Sequence, residues 1–369
     1  MLLVAEVTVR FDEWLRFGMS FLGNSDETVD LRIVDTLGVH GRPNGRYLRF
    51  HLNNYGFRGK RDVSIARRPG CERVMILGAS ETFGATEPDG LEYPAQLART
   101  LDEHGCTEVL NAGTPGVGLS TIRYTWNRYW KRFAPDYVLI YPSPIFYLGN
   151  KPPKHFTFED FRRVAAPQVP LRPRLLLLAH EAISYPEVIQ RRRVQQFIRD
   201  GLQGVPNDSI WHALPEDRMA MFVADLDSLV TDIREVGATP VLMSHAMRFA
   251  VPPDPADAEM LAAWRVFTPR ALPDVMLAFE VRAAQETRAL AERRQVLLAD
   301  VACALSGRRG LFADFVHFTG DGAAIVARVA EGTLDPDVGS AVTQAGSERR
   351  SGASCSPQGT LAVRGHTSF

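Results

Sequence analysis

From residue 73 to about 330, short apolar runs alternate with longer stretches whose apolar positions recur every three or four residues. The runs fall at 73–77, 108–111, 137–141, 240–244 and 296–300, each the length of a buried strand rather than of a helix. Between them Leu91, Leu97, Ala98 and Leu101 mark one amphipathic helix, and Phe222, Leu226, Leu229, Ile233 and Val236 mark another. A helical stretch from Val275 to Arg294 precedes the fifth run, and residues 323–330 read as a closing helix. Five strands joined by helical crossovers predict an α/β fold with a parallel, doubly wound sheet, whose active sites gather at the carboxyl ends of the strands.

The flanking segments lack this alternation. Phe11, Trp14, Leu15 and Phe17 suggest a short amphipathic helix, and 30–34 and 46–52 read as half-exposed strands. Asn53-Asn54-Tyr55-Gly56-Phe57-Arg58-Gly59 is turn chemistry with two aromatic anchors. Residues 1–70 are therefore expected to be an extension and 71–334 the main domain. Within that domain 151–212 is too long for a simple crossover. It shows helical patterns at 174–179 and 194–198 and a basic run, Arg191-Arg192-Arg193, that reads as a solvated helix face. An insertion after the third strand stands over the carboxyl edge of the sheet, where a lid or substrate wall belongs. From 335 the Gly, Ser, Arg, Gln and Pro content cannot sustain a core, and disorder is expected.

The chemistry begins at Val74-Met75-Ile76-Leu77-Gly78-Ala79-Ser80-Glu81-Thr82-Phe83-Gly84, where a strand runs into small residues and a tight turn. Ser80 is the candidate nucleophile, and it needs a base to take its proton. Asp314-Phe315-Val316-His317 supplies one, because an aspartate three residues before a histidine can hold one ring nitrogen and leave the other for a serine. Asp300, after the fifth run, is a rival orienter. His245 closes the fourth strand without an acidic neighbour in sequence and ranks behind His317, as a residue that lines the pocket or contacts substrate.

Gly78-Ala79-Ser80 and Asp314-x-x-His317 together resemble the first and last blocks of the SGNH, or GDSL-type, serine hydrolases, over roughly residues 40–333. Thr82 stands where the Gly-x-Ser-x-Gly elbow of the α/β-hydrolases has its last glycine. The resemblance implies a flavodoxin-like three-layer α/β/α fold with a five-stranded parallel sheet, a catalytic triad of Ser80, Asp314 and His317, and no cofactor. It also implies an oxyanion hole built from the backbone N–H groups of Ser80 and of a glycine after the second strand. Gly116 matches that place best, and Gly113 is the alternative. The family's Gly-x-Asn-Asp block is missing after the third strand, where its asparagine would fall near Ile145. Losing one oxyanion donor typically costs ~10²–10³ in rate, and the Ser143 hydroxyl is a candidate substitute. An Asn-x-x-Gly-Phe-Arg-Gly stretch like 53–59 precedes the serine block in many bacterial members. It reads as packing rather than as a catalytic role for Arg58, and it points to acyl groups on carbohydrate. The expected activity is ester hydrolysis through an acyl-enzyme; the alternatives are an O-acyltransferase acting on a polysaccharide, or a non-catalytic glycan or partner binder.

Composition narrows the field further. Lys+Arg 42 against Asp+Glu 43 gives no global field toward nucleic acid, and no His/Cys/Asp/Glu cluster has metal-site spacing. A phosphate loop fits poorly, since neither Gly-x-Gly-x-x-Gly nor a Gly-Lys-Ser/Thr ending is present. Cys71, Cys106, Cys303 and Cys355 are scattered, and free core thiols are expected. No apolar run approaches the ~20 residues of a membrane span, and residues 1–5 are too short for a signal peptide. The chain as written reads as soluble; a membrane helix ahead of residue 6, as in many relatives, would change the compartment.

Overall fold

A computed structural model describes residues 2–17, 31–47, 49–149, 175 and 187–334. Its elements are α1 (Leu2–Phe17), β1 (Arg32–Asp35), β2 (Gly38–Gly41), β3 (Arg46–Tyr47), β4 (Phe50–His51), β5 (Glu72–Gly78), α2 (Ser80–Phe83), α3 (Tyr93–His104), β6 (Thr107–Asn111) and α4 (Leu119–Arg128). There follow β7 (Tyr137–Tyr141), α5 (Glu187–Leu202), α6 (Glu216–Arg234), β8 (Thr239–Met243), α7 (Ala258–Arg265), α8 (Pro273–Arg294), β9 (Leu297–Ala299), α9 (Val301–Leu305) and α10 (Gly320–Leu334).

The five expected strands form one parallel sheet in the order β6-β5-β7-β8-β9. Alternate residues of each strand feed opposite faces, as the period of two requires. Met75, Leu77, Val138, Ile140 and Leu242 pack on one side with Phe222, Leu226, Leu229, Ile233 and Phe279 of α6 and α8. Val74, Ile76, Leu139, Tyr141, Val241 and Met243 pack on the other with Leu97 and Leu101 of α3 and Val326, Ala327 and Ala330 of α10. The result is a three-layer α/β/α sandwich with flavodoxin-like strand order, and its topological switch point lies beside β5 and β7. Leu91 and Val236 fall just outside their helices and are exposed, so the apolar periodicity overran both helix boundaries.

The extension differs in detail. The strand expected at 46–52 is instead a small hairpin in which Arg46 pairs with His51 and Tyr47 with Phe50, because the chain reverses between them. α1 starts far earlier than its aromatic residues suggested. β2 docks on α4 through Thr125, whose buried Oγ1 accepts from Val39 N at 3.1 Å. The 53–59 turn closes around Asn53, whose Oδ1 accepts the N–H groups of Tyr55 and Phe57 at 3.0 and 3.1 Å. The tail from 335 and the 174–179 helix, Leu175 excepted, lie outside the described residues. Of the insertion, α5 packs beside α7, where Gly201 leaves room for Val266.

The cysteines correct the expectation of free thiols. Cys71 and Cys106 form a disulfide with Cα atoms 4.6 Å apart, and Cys303 is disulfide-bonded and exposed. The reason is register: Glu72 is paired with Thr107, so the residues just before β5 and β6 lie side by side.

Arg58 joins the extension to the segment after Ser80. Its side chain is fully buried between the rings of Phe50 and Phe83, at 4.6 and 4.7 Å from their centroids. It faces Asp89 at 3.4 Å and Glu92 at 3.8 Å and donates to the carbonyls of Gly84 and Glu87. Removing one partner of a buried charge cluster leaves the others uncompensated. Arg58→Met is therefore expected to lower the unfolding free energy by about 3 kcal/mol, measured by urea denaturation; a loss within the error of the measurement would show that the clamp contributes nothing.

Candidate active site

Strand register places the candidate residues. Gly78 of β5 pairs with Tyr141 of β7, and Ile140 of β7 pairs with Leu242 of β8. Ser80, Ser143 and His245, each two residues past one level of the sheet, thus form a row across the carboxyl ends of three adjacent strands. The turn into α2 is tight because Gly78 has no side chain: a Cβ there would lie 2.0 Å from Thr82 Oγ1. α2 is four residues long and ends at Gly84 with φ 80°, a left-handed conformation that glycine adopts freely.

The loop after β6 is fastened to α2. Asn111 Nδ2 donates to the Thr82 carbonyl at 3.0 Å, and a Cβ at Gly113 would lie 2.3 Å from Phe83 N. Gly113 is thus a close-approach residue, and its N–H is already taken by Asn111 Oδ1 at 2.9 Å. Gly116, at φ 76°, forms the tip of the turn. Arg32 from the extension braces that tip by donating to the Pro115 carbonyl at 2.8 Å. Ser80 opens α2, so its N–H has no acceptor within the helix.

Asp314 and His317 meet as their spacing predicted. His317 Nδ1 lies 2.7 Å from Asp314 Oδ2, while Asp314 Oδ1 accepts the backbone N–H groups of Val316 and His317, both at 2.9 Å. Burial works against the ionised carboxyl of Asp314, but the hydrogen bond and charge of His317 outweigh it and hold the group below its ordinary range. Burial likewise disfavours imidazolium at His317, yet the Asp314 hydrogen bond and the charges of Glu81, Asp314 and Glu87 raise its pKa. His317 Nε2 is buried and has no hydrogen-bond partner. Asp300 is not the orienter; it binds Ser244 and Arg288.

Ser80 does not hydrogen bond to His317. Its hydroxyl donates to Glu81 Oε2 at 3.2 Å, and the Ser143 hydroxyl donates to Glu81 Oε1 at 3.0 Å. Ser143 is consequently engaged with a carboxylate rather than free as an oxyanion donor. His245 is 3% exposed and lies between two carboxylates, Nε2 at 3.3 Å from Glu81 Oε1 and Nδ1 at 2.7 Å from Glu280 Oε2. It is therefore buried behind Glu81 rather than lining an open pocket. Burial lowers the imidazole pKa, but the two carboxylates prevail and raise it; reciprocally, Glu81 resists the upward push of burial through His245 and is held low. Sequence reasoning missed Glu81 and Glu280. Glu81 carried one signal, an acidic side chain on a turn otherwise made of small and apolar residues; Glu280 lies mid-helix and carried none.

The strand order and the three layers fit the SGNH hydrolase fold. Among solved structures, one similar chain is a protein assigned to the lipolytic G-D-S-L family from Desulfitobacterium hafniense DCB-2: 13% identity, TM-score 0.39, 71% of this chain and 99% of that one covered. Another is Axe2, an acetylxylan esterase from Geobacillus stearothermophilus, at 17% identity and TM-score 0.42 over 72% and 94% of the two chains. TesA gives 14% and 0.40 over 72% and 99%. No protein-family model and no curated protein matches the chain.

Glu87 adds a further buried carboxyl. It is 2% exposed, its Oε1 has no partner, and Oε2 accepts from Thr86 N and Oγ1 at 3.2 and 3.1 Å. Burial raises its pKa from 4.5 to about 7. A carboxyl whose folded pKa lies above its unfolded value destabilises the fold progressively as pH rises between the two, and fully above the higher one. Glu87→Gln is expected to gain on the order of 2 kcal/mol relative to wild type between pH 5 and pH 8. Urea denaturation at both pH values checks this, and an equal difference at both would contradict it.

Proposed function

We propose that the chain is a serine esterase of SGNH type that cleaves O-acyl esters, with a carbohydrate hydroxyl as the alcohol. The observation that carries this reading is the Asp314–His317 pair with an unoccupied Nε2, whose imidazole interacts with the charge of Glu81, the residue next to Ser80. Asp314 accepts the Nδ1 proton and so fixes the tautomer whose Nε2 lone pair is the acceptor. Ser80 leaves Glu81, gives its proton to His317 Nε2 and attacks the ester carbonyl carbon. The backbone N–H groups of Ser80 and Gly116 take the oxyanion, with Gly113 excluded because Asn111 occupies its N–H. His317 then protonates the departing alcohol, leaving Ser80 acylated. Water, deprotonated by the same imidazole, releases the acid and restores the serine.

The carbohydrate assignment rests on the Asn-x-x-Gly-Phe-Arg-Gly lead-in, whose Arg58 holds the extension against the segment following the nucleophile. If a sugar hydroxyl replaces water in the second half-reaction, the same groups catalyse acyl transfer.

Short-chain aryl esters and acetylated xylo-oligosaccharides test the reading. Wild type is expected to release acid, Ser80→Ala none, and Asp314→Asn about 10³–10⁴-fold less. Because His317 must be neutral to accept a proton and its pKa is raised, the acid limb of kcat/KM should lie above the ordinary histidine value of ~6.5. Turnover that survives in Ser80→Ala would sink the serine mechanism. Turnover that appears only when a sugar acceptor is added would assign transfer instead of hydrolysis.

A further inference from the structure

Behind Ser80 lies a line of buried charge to which the hydrolytic steps give no role beyond the release of the serine hydroxyl. Glu81, His245 and Glu280 are 3%, 3% and 2% exposed, and they are joined end to end at 3.3 and 2.7 Å. Both ring nitrogens of His245 face carboxylate oxygens, so the imidazole satisfies both only when it carries both protons. Two carboxylates and one imidazolium leave a net negative charge in the interior, which burial alone disfavours. The end of that line is Glu81 Oε2, the atom that accepts the Ser80 hydroxyl.

Resting on the serine-esterase reading, we infer that Glu81 is a positioning residue for Ser80: its carboxylate, anchored by His245 and Ser143, competes with His317 Nε2 for the serine hydroxyl and keeps nucleophile and base apart until substrate binds. Glu81 acts on the first step in two opposite ways. Its hydrogen bond to Ser80 must break before attack, which slows the step. Its negative charge favours the imidazolium that His317 becomes, which assists proton transfer. The charged and titratable groups around Glu81 are His245 from the end of β8, His317 from the loop before α10, Tyr93 of α3 and Tyr141 of β7. Those around His317 are Asp314, Glu81 and Glu87.

The two effects separate in the pH profile of Ser80 phosphonylation by a fluorophosphonate, measured for wild type, Glu81→Gln and Glu280→Gln. Each substitution removes one buried negative charge and leaves a His245–carboxylate pair, but only Glu81→Gln removes the ionised acceptor facing Ser80. The expected result for Glu81→Gln is an acid limb moved to lower pH together with a raised plateau above it; Glu280→Gln moves the limb less and leaves the hydroxyl held. A limb that moves while the plateau falls or stays level would show that Glu81 acts through charge alone, and the inference would be overturned. An equal rise in Glu280→Gln would overturn it as well. Should Glu81→Gln fail to fold, Glu81→Asp, which keeps the charge but draws the carboxylate back, is expected to label faster than wild type, and equal or slower labelling would overturn the inference. Labelling at Ser80 without ester turnover would instead overturn the esterase reading and leave this inference standing on the plateau; no labelling in either wild type or Glu81→Gln would overturn both.

Discussion

In-register parallel pairing of β5 with β7 and of β7 with β8 is the constraint on which the rest depends. It puts the residue two past Gly78 beside the residue two past Tyr141, and that one beside the residue two past Met243. Three side chains from distant parts of the chain thereby share one edge, next to the switch point where a doubly wound sheet opens a crevice. A slip of one residue would turn every strand side chain to the opposite face and separate them. The two apolar layers prevent that slip, since each strand is locked on both faces by α3 and α10 on one side and α6 and α8 on the other.

Close approach of backbone is the second requirement. Gly78 lets Thr82 fold back over the strand end, and Gly113 lets the loop after β6 lie on α2. Asn111 fastens that loop from one side and Arg32 from the other, so the turn bearing Gly116 is held by both the sheet and the extension. Arg58 does the same for the segment after α2. The extension is therefore part of the site's support, although it supplies no group to the proposed chemistry.

The two histidines around Glu81 differ by one partner, and that difference separates their acid–base chemistry. His317 has one carboxylate and keeps a free Nε2, so it can receive a proton. His245 has a carboxylate on each nitrogen and has no lone pair to offer. An imidazole between two anions behaves as a fixed cation; one beside a single anion remains a base. Burial thus leaves a fixed charge at one ring and a free acceptor nitrogen at the other, according to the number of carboxylate partners.

Strand lengths, the helix spacing of 222–233 and the Asp314-x-x-His317 pair were legible in the sequence because they depend on local periodicity and on a contact only three residues long. Gly-x-Ser read as the end of a buried strand for the same reason. The hairpin at 46–51 was misjudged, since a reversal between two-residue strands leaves too little pattern to see. The disulfide and the burial of His245 were invisible: Cys71 and Cys106 become neighbours only through strand register, and Glu280 reaches His245 from the middle of a helix. Sequence alone determined the class of sheet and the local Asp314–His317 contact. Tertiary structure decided which of the other candidate residues meet, because pairing across parallel strands joins positions that no local spacing connects.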